Sequence, residues 1–126
     1  MGGEKQLIML VDDNPANLRI GKNVLAEKYV VATAPSAEKL FKLLEKNRPL
    51  LILLDIDMPE MDGYKAIEIL KSKQDTKDVP VIFLTGMTDP KDEEKGRALG
   101  ASDFMTKPFN PPALFACIEK YIKKPD

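Results

Sequence analysis

The sequence predicts an α/β domain, a parallel β-sheet with helices on both faces. Short branched apolar runs and amphipathic helical stretches alternate five times along 126 residues. The connections between them are only a few residues long, as in consecutive βα units. One run, Leu50 to Leu54, is apolar without alternation, the pattern of a strand buried on both faces.

The first strand is expected over Gln6 to Val11, closed by Asp12-Asp13-Asn14-Pro15. Asn14 reads as an N-cap with Pro15 at the first helical position, and Leu18, Gly21, Val24 and Leu25 form that helix's inward face. A second, shorter strand covers Tyr29 to Ala32. Ser36 caps a helix in which Ala37, Leu40, Phe41 and Leu44 recur at i, i+3, i+4 and i+7, while Lys39, Lys42, Glu45 and Lys46 face water. After the central strand, a turn-rich loop from Met58-Pro59 to Asp62-Gly63 leads into a helix carrying Tyr64, Ile67 and Leu70. The fourth strand spans Val79 to Leu84, with Pro80 tolerable near its start. Pro90 to Leu99 is a weak fourth helix, because Gly96 in its interior costs about 1 kcal/mol relative to Ala; Gly100 ends it. Ser102 to Thr106 is a brief fifth strand. Pro111-Pro112 opens the last helix, with Leu114, Phe115, Ile118, Tyr121 and Ile122 as its apolar contacts.

Composition removes several classes of function. A formal net charge of −1 gives no basic surface for nucleic acid or acidic membranes. The single cysteine, Cys117, excludes an internal disulfide and a cysteine zinc site, and its apolar neighbours make it core filler. With no histidine there is no Ser-His or Cys-His pair, no His-ligated zinc and no imidazole base. No apolar run has the length of a membrane span and the start lacks a signal-peptide core. Gln6 stands where a myristoylation signal needs Ser or Thr. The expectation is one cytoplasmic domain over residues 6–123, with short tails at 1–5 and 124–126. Chemistry must rest on carboxylates, lysines, hydroxyls and a hard metal ion.

Ligands of an open parallel sheet bind outside the carboxyl ends of its strands. Asp12 and Asp13 end the first strand, Asp55 the third, Thr85 the fourth and Lys107 the fifth, so all five fall at one edge. Three adjacent carboxylates raise one another's pKa unless a cation lies among them. Mg²⁺ suits them best: it takes one or two carboxylates, keeps waters and accepts phosphate oxygens. Metal, ammonium and hydroxyl around one carboxylate form a receptacle for a phosphoryl group, with Asp55 as the nucleophile.

At these residues the sequence resembles the receiver domains of two-component response regulators, the CheY-like family. The resemblance is carried by LIMLVDDNP (Leu7 to Pro15), LILLDIDMPEMDGY (Leu51 to Tyr64), VIFLTG (Val81 to Gly86) and DFMTKPF (Asp103 to Phe109). It implies the doubly wound strand order 2-1-3-4-5. It also implies that Asp55 takes phosphate from a phosphohistidine of a sensor histidine kinase or histidine phosphotransfer protein. Asp13 would bind Mg²⁺ directly, Asp12 largely through water, and the backbone carbonyl of Asp57 would complete the protein ligands; Mn²⁺ could substitute. Lys107 and Thr85 match the residues that contact the phosphoryl oxygens, and Pro108 the proline that follows a cis bond. Phe104 holds the aromatic switch position. Its ring would fill space vacated by Thr85 and alter the face made by the fourth helix, fifth strand and fifth helix for a downstream protein partner. The protein would be a monomer or a phosphorylation-dependent dimer, and would catalyse only its own phosphoryl transfer and autodephosphorylation.

Three positions, Phe104, Asp57 and Leu50, depart from the usual pattern. Phe104, often Tyr in relatives, lacks a hydroxyl and is expected to favour the inward pose; Asp57 adds a carboxylate two residues after the nucleophile. Met87 offers no charge to counter it, and Leu50 stands where receivers often have Asp. The segment DIDMP is similar to the nucleophile motif of haloacid-dehalogenase-type phosphatases, but Pro59 replaces the required Thr or Val. A calcium loop fails because Pro59, Glu60 and Ala66 take its ligand, Gly and Glu positions. The remaining alternative is a receiver-like module that binds partners without phosphorylation. No effector domain follows Ile122, so the expectation covers both a stand-alone regulator and a receiver from a longer or hybrid protein.

Overall fold

The computed structural model describes residues 6–86, 90–108 and 110–122; Met87 and Phe109, both singled out above, and the two tails lie outside them. The elements are β1 (Leu7–Val11), α1 (Pro15–Leu25), β2 (Val30–Ala34), α2 (Ala37–Leu44), β3 (Leu51–Asp55), α3 (Gly63–Ser72), β4 (Val81–Thr85), α4 (Pro90–Leu99), β5 (Asp103–Thr106) and α5 (Pro111–Tyr121). The five strands are parallel in the order β2-β1-β3-β4-β5, as the resemblance implied.

Period-two alternation divides the strands between two cores. Met9, Val11, Ile52, Leu54, Val81 and Phe83 face one side, against Leu40 of α2 and Ala66, Ile67 and Leu70 of α3. Ile8, Leu10, Leu51, Leu53, Ile82 and Leu84 face the other, against Leu25 of α1 and Leu114, Cys117 and Ile118 of α5. Burying each large side chain contributes about 1.5–3 kcal/mol. A single register row, Ala34, Val11, Leu54, Phe83 and Phe104, crosses the whole sheet. Asp12 and Asp55 come one residue beyond it on adjacent strands, so the register itself sets them side by side.

Local chemistry starts the helices where the sequence indicated. The side chain of Asn14 accepts from the backbone N–H groups of Ala16 and Asn17, Ser36 from Lys39, Asp62 from Lys65 and Asn110 from Ala113. Gly100, at φ +114°, follows α4.

All five strands differ from the sequence expectation at their boundaries, β1 and β5 only in starting one residue later, at Leu7 and Asp103. β2 covers Val30–Ala34 rather than Tyr29 to Ala32, because β1 pairs along its whole length, through Val11 with Ala34. Tyr29 instead closes the preceding turn, its N–H donating to Leu25 O at 2.9 Å. β4 begins at Val81: Pro80 has no N–H to give, and only its carbonyl joins the ladder, accepting from Ile52 at 3.0 Å. β3 begins at Leu51 and ends with Asp55 inside the strand, leaving Leu50 38% exposed.

Candidate functional site

The carboxyl ends of β1 and β3 carry the acidic residues. Asp12 is 0% exposed and Asp55 2%, while Asp13 faces solvent. One oxygen from each lies within 4.8 Å of the others. β5 leads into Lys107, whose ammonium donates to Asp12 Oδ2 at 3.2 Å and to Asp55 Oδ1 at 3.3 Å. Lys107 N–H donates to Thr85 O at 2.8 Å, and the Lys107–Pro108 peptide bond is cis.

Each buried oxygen has partners. Asp12 Oδ1 accepts from the Asn14 N–H at 2.9 Å, and Asp12 Oδ2 from Asn17 Nδ2 at 3.2 Å. Asp55 Oδ1 accepts from the Asp57 N–H at 3.3 Å. The sequence does not single out Asn17; its signal is its place in the first turn of α1, on the face that looks back at the end of β1. In the sequence Gly63 stands only as a turn residue. A Cβ there would stand 2.6 Å from Asp55 O and 2.8 Å from Ile56 Cα, so glycine lets α3 start directly against the end of β3. Glu60, at φ 69°, takes the left-handed conformation in the same loop.

The charges do not balance. Burial, and then the negative charge of Asp12, push Asp55 up to about 7, although Lys107 pulls the other way. Burial alone would lower Lys107, yet Asp55 and Asp12 together hold it above the ordinary lysine value. The two shifts are consistent because one ammonium is divided between two buried carboxylates. Three carboxylates close enough to share one ion, two of them desolvated, form a hard oxygen donor set that fits Mg²⁺.

Thr85 is buried at the end of β4, one residue beyond Leu84, which pairs with Asp55. Thr85, Ile56, Asp57, Tyr64, Gly86 and Asp92 line an adjoining open hollow of about 440 Å³. Asp57 is exposed and lines this hollow, and it is not one of the three clustered carboxylates. The structure thus brings together Asp12, Asp13, Asp55 and Lys107, sets Thr85 and Asp57 at their margin, and places Phe104 elsewhere. Phe104 is 9% exposed and packs beneath α4, its ring centroid 5.4 Å from that of Phe83.

Residues 8–119 match the family model described as response regulator receiver domain. The chain belongs to this family.

As a receiver domain it resembles parts of several larger proteins. It is 39% identical over 116 residues to a probable cyclic di-GMP phosphodiesterase of Vibrio cholerae, covering 92% of this chain and 26% of that protein. It is likewise 39% identical over 110 residues to the response regulator PleD of Caulobacter vibrioides, covering 86% and 24%. The receiver therefore spans about a quarter of these relatives, and about half of the probable transcriptional regulators called ycf27, such as that of Porphyridium aerugineum. Among solved structures it superposes on the chemotaxis protein CheY4 of Vibrio cholerae with TM-score 0.89 at 27% identity, covering 93% of this chain and 98% of that one. The receiver domain of the sensor histidine kinase PA1611 of Pseudomonas aeruginosa gives TM-score 0.85 at 29% identity, covering 94% and 98%. That structure has a magnesium ion coordinated in its active site cleft. The present chain is a receiver domain of two-component signalling, with an acidic cluster suited to Mg²⁺. No helix among the described residues is long and apolar enough to cross a membrane.

Proposed function

We propose that Asp55 is the phosphoacceptor, taking its phosphoryl group from a phosphohistidine of a sensor histidine kinase or histidine phosphotransfer protein. An Asp55 carboxylate oxygen forms the bond to phosphorus as the phosphorus–nitrogen bond breaks, and the electron pair returns to the departing imidazole. The observation that carries this reading is a carboxylate buried at a strand end, 3.3 Å from one shared ammonium and beside two further carboxylates.

Asp12, Asp13, Asp55 and the backbone carbonyl of Asp57 hold Mg²⁺, with Mn²⁺ as a substitute. The ion supplies neutralisation of the phosphoryl oxygens and of the carboxylates. Lys107 and Thr85 contact the transferred group, the ammonium as a point charge and the hydroxyl as a donor. Phe104 acts as the switch ring, and the face of α4, β5 and α5 is read by a downstream protein partner. Asp57 borders the hollow beside Thr85 and adjusts the lifetime of the acyl phosphate. The domain is residues 6–123. It works in the cytoplasm, as a monomer or a phosphorylation-dependent dimer, and turns over only its own phosphoryl group, with no direct contact to nucleic acid.

Intact mass after incubation with acetyl phosphate, with and without Mg²⁺, tests the reading. A gain of one phosphoryl group that needs Mg²⁺ and is absent from Asp55→Asn is expected. Persistence of the gain in Asp55→Asn would overturn the assignment. If neither protein gains mass, absence of Mg²⁺-dependent beryllofluoride binding would leave a receiver fold that does not signal through phosphate.

A further inference from the structure

Gly96 stands in the interior of α4, where alanine is ordinarily the better helix former. It is buried, and a Cβ there would lie 2.5 Å from Phe104 Cζ, 2.9 Å from Phe83 Cε2 and 3.0 Å from Phe83 Cδ2. Two rings thus occupy the space that any other residue would claim.

The two rings differ in their freedom to yield. Phe83 is fully buried in β4, with the edge of Tyr64 against it at 5.6 Å between centroids. On the α3 side, a Cβ at Gly63 would come within 3.1 Å of Phe83 Cε1, so the backbone closes on this ring from both helices. Phe104 belongs to the edge strand β5, and its ring is covered on its outer side by Arg97, whose guanidinium carbon lies 5.7 Å from the centroid. Arg97 is itself tethered to Ser102 O at 3.3 Å and to Asp103 Oδ1 at 3.4 Å. Phe104 is therefore the ring with room to leave.

We infer that Gly96 is a positioning residue for the switch: its missing Cβ forms the slot in α4 that admits the Phe104 ring, and glycine here sets the ring's inward pose. A side chain at 96 would close the slot against the fixed Phe83 and drive Phe104 outward. The inference deepens the proposed switching role of Phe104 and rests on it for its signalling consequence. Its packing content stands alone.

The test compares wild type, Gly96→Ala, Phe104→Ala and the double variant. In the wild-type background Gly96→Ala is expected to lower Tm by several degrees. In the Phe104→Ala background the same change is expected to raise Tm by roughly 2–6 °C, because the space vacated by Phe104 lets the Phe83 ring tilt away from the new Cβ and the helix preference then dominates. A rise in both backgrounds overturns the slot, and a fall in both assigns the clash to Phe83 alone and overturns the role for Phe104. Signalling is read by NMR with Mg²⁺ and beryllofluoride as the probe. Gly96→Ala should gain a phosphoryl group from acetyl phosphate to within about twofold of wild type, yet lose most of the amide shift response over residues 97–121 and the inward Phe104 rotamer. An unchanged response and rotamer overturn the positioning role. If the wild type takes no phosphoryl group, the switch reading falls, while the reversal in the sign of the Tm change still decides the slot.

Discussion

Asp55 owes its chemistry to a single step in register. It is the residue at which β3 still pairs, with Leu84, but the apolar side chains around it give way to Asp12 and Lys107. Burial raises its folded pKa to about 7, above its ordinary 3.8, so the native state holds a proton that the unfolded chain has released. Stability from this group is complete below about pH 4 and is lost as pH rises through about 7. Asp55→Asn cannot ionise and should be more stable than wild type without Mg²⁺, by on the order of 1–3 kcal/mol above pH 7.5 and by little near pH 4. Urea unfolding of both proteins across that range measures it. Cys117 behaves in the opposite sense for reactivity. Burial, and then the charge of Asp103, push its thiol up to about 11, and its Sγ lies 3.6 Å from Asp103 Oδ2. A thiol reagent at pH 8 should label the folded protein at least about 100-fold more slowly than the urea-unfolded chain. The acidic ends of strands were legible in the sequence because a charge closing a run such as LLILLD has no bland explanation. Asn17 was not, since an asparagine on a polar helix face looks the same whether or not it bonds a buried carboxylate across the loop.

At the scale of elements, α4, β5 and α5 are fastened through one side chain. Asp103 accepts from the Phe104 N–H at 2.8 Å and from Tyr121 Oη at 2.9 Å, with Arg97 at 3.4 Å and Lys120 at 3.8 Å on its flanks. Burial would raise its pKa, but these hydrogen bonds and Lys120 hold it below the usual aspartate value. The sign is therefore the reverse of that for Asp55: this stability is present above the ordinary aspartate pKa and is lost as pH falls through the depressed one. Asp103→Ala should cost about 1–3 kcal/mol at pH 7, chiefly through the unsatisfied Phe104 N–H, since the Tyr121 hydroxyl keeps its bond to Ser102 O at 3.1 Å. Faster amide exchange in α4 and α5, with α2 and α3 unaffected, would locate the loss. Element existence was readable throughout from periodicity and caps. Boundaries were less so, because they depend on pairing: β2 extends to Ala34 because Val11 needs a neighbour, and no local preference of Thr33 or Ala34 reveals that. The sequence also marked Gly96 as a weakness of α4. Its reason is a pair of rings contributed by β4 and β5, which no window along α4 contains.

For the whole molecule, the two cores leave the acidic cluster as the one place among the described residues where three carboxylates able to hold a metal ion converge. Mg²⁺ should stabilise the native state by about 1.4 kcal/mol for each tenfold rise in concentration above its Kd, and chelation should reverse this. Asp13→Asn should abolish most of the gain while leaving the metal-free Tm nearly unchanged, since Asp13 is exposed. Thermal scans at several Mg²⁺ concentrations give both quantities. The strand order was legible only through the resemblance, because alternation of strands and helices by itself permits several orders. That order has a mechanical consequence. β1 and β3, which carry the acids, are hydrogen-bonded on both sides, whereas β5, which carries Phe104 and leads into Lys107, is bonded on one side only. A pull on Lys107 can slide or tilt a four-residue strand at the cost of a single ladder, with the acids held still by two. The sheet thus divides into an anvil and a lever, and the lever's two ends are the ammonium and the ring.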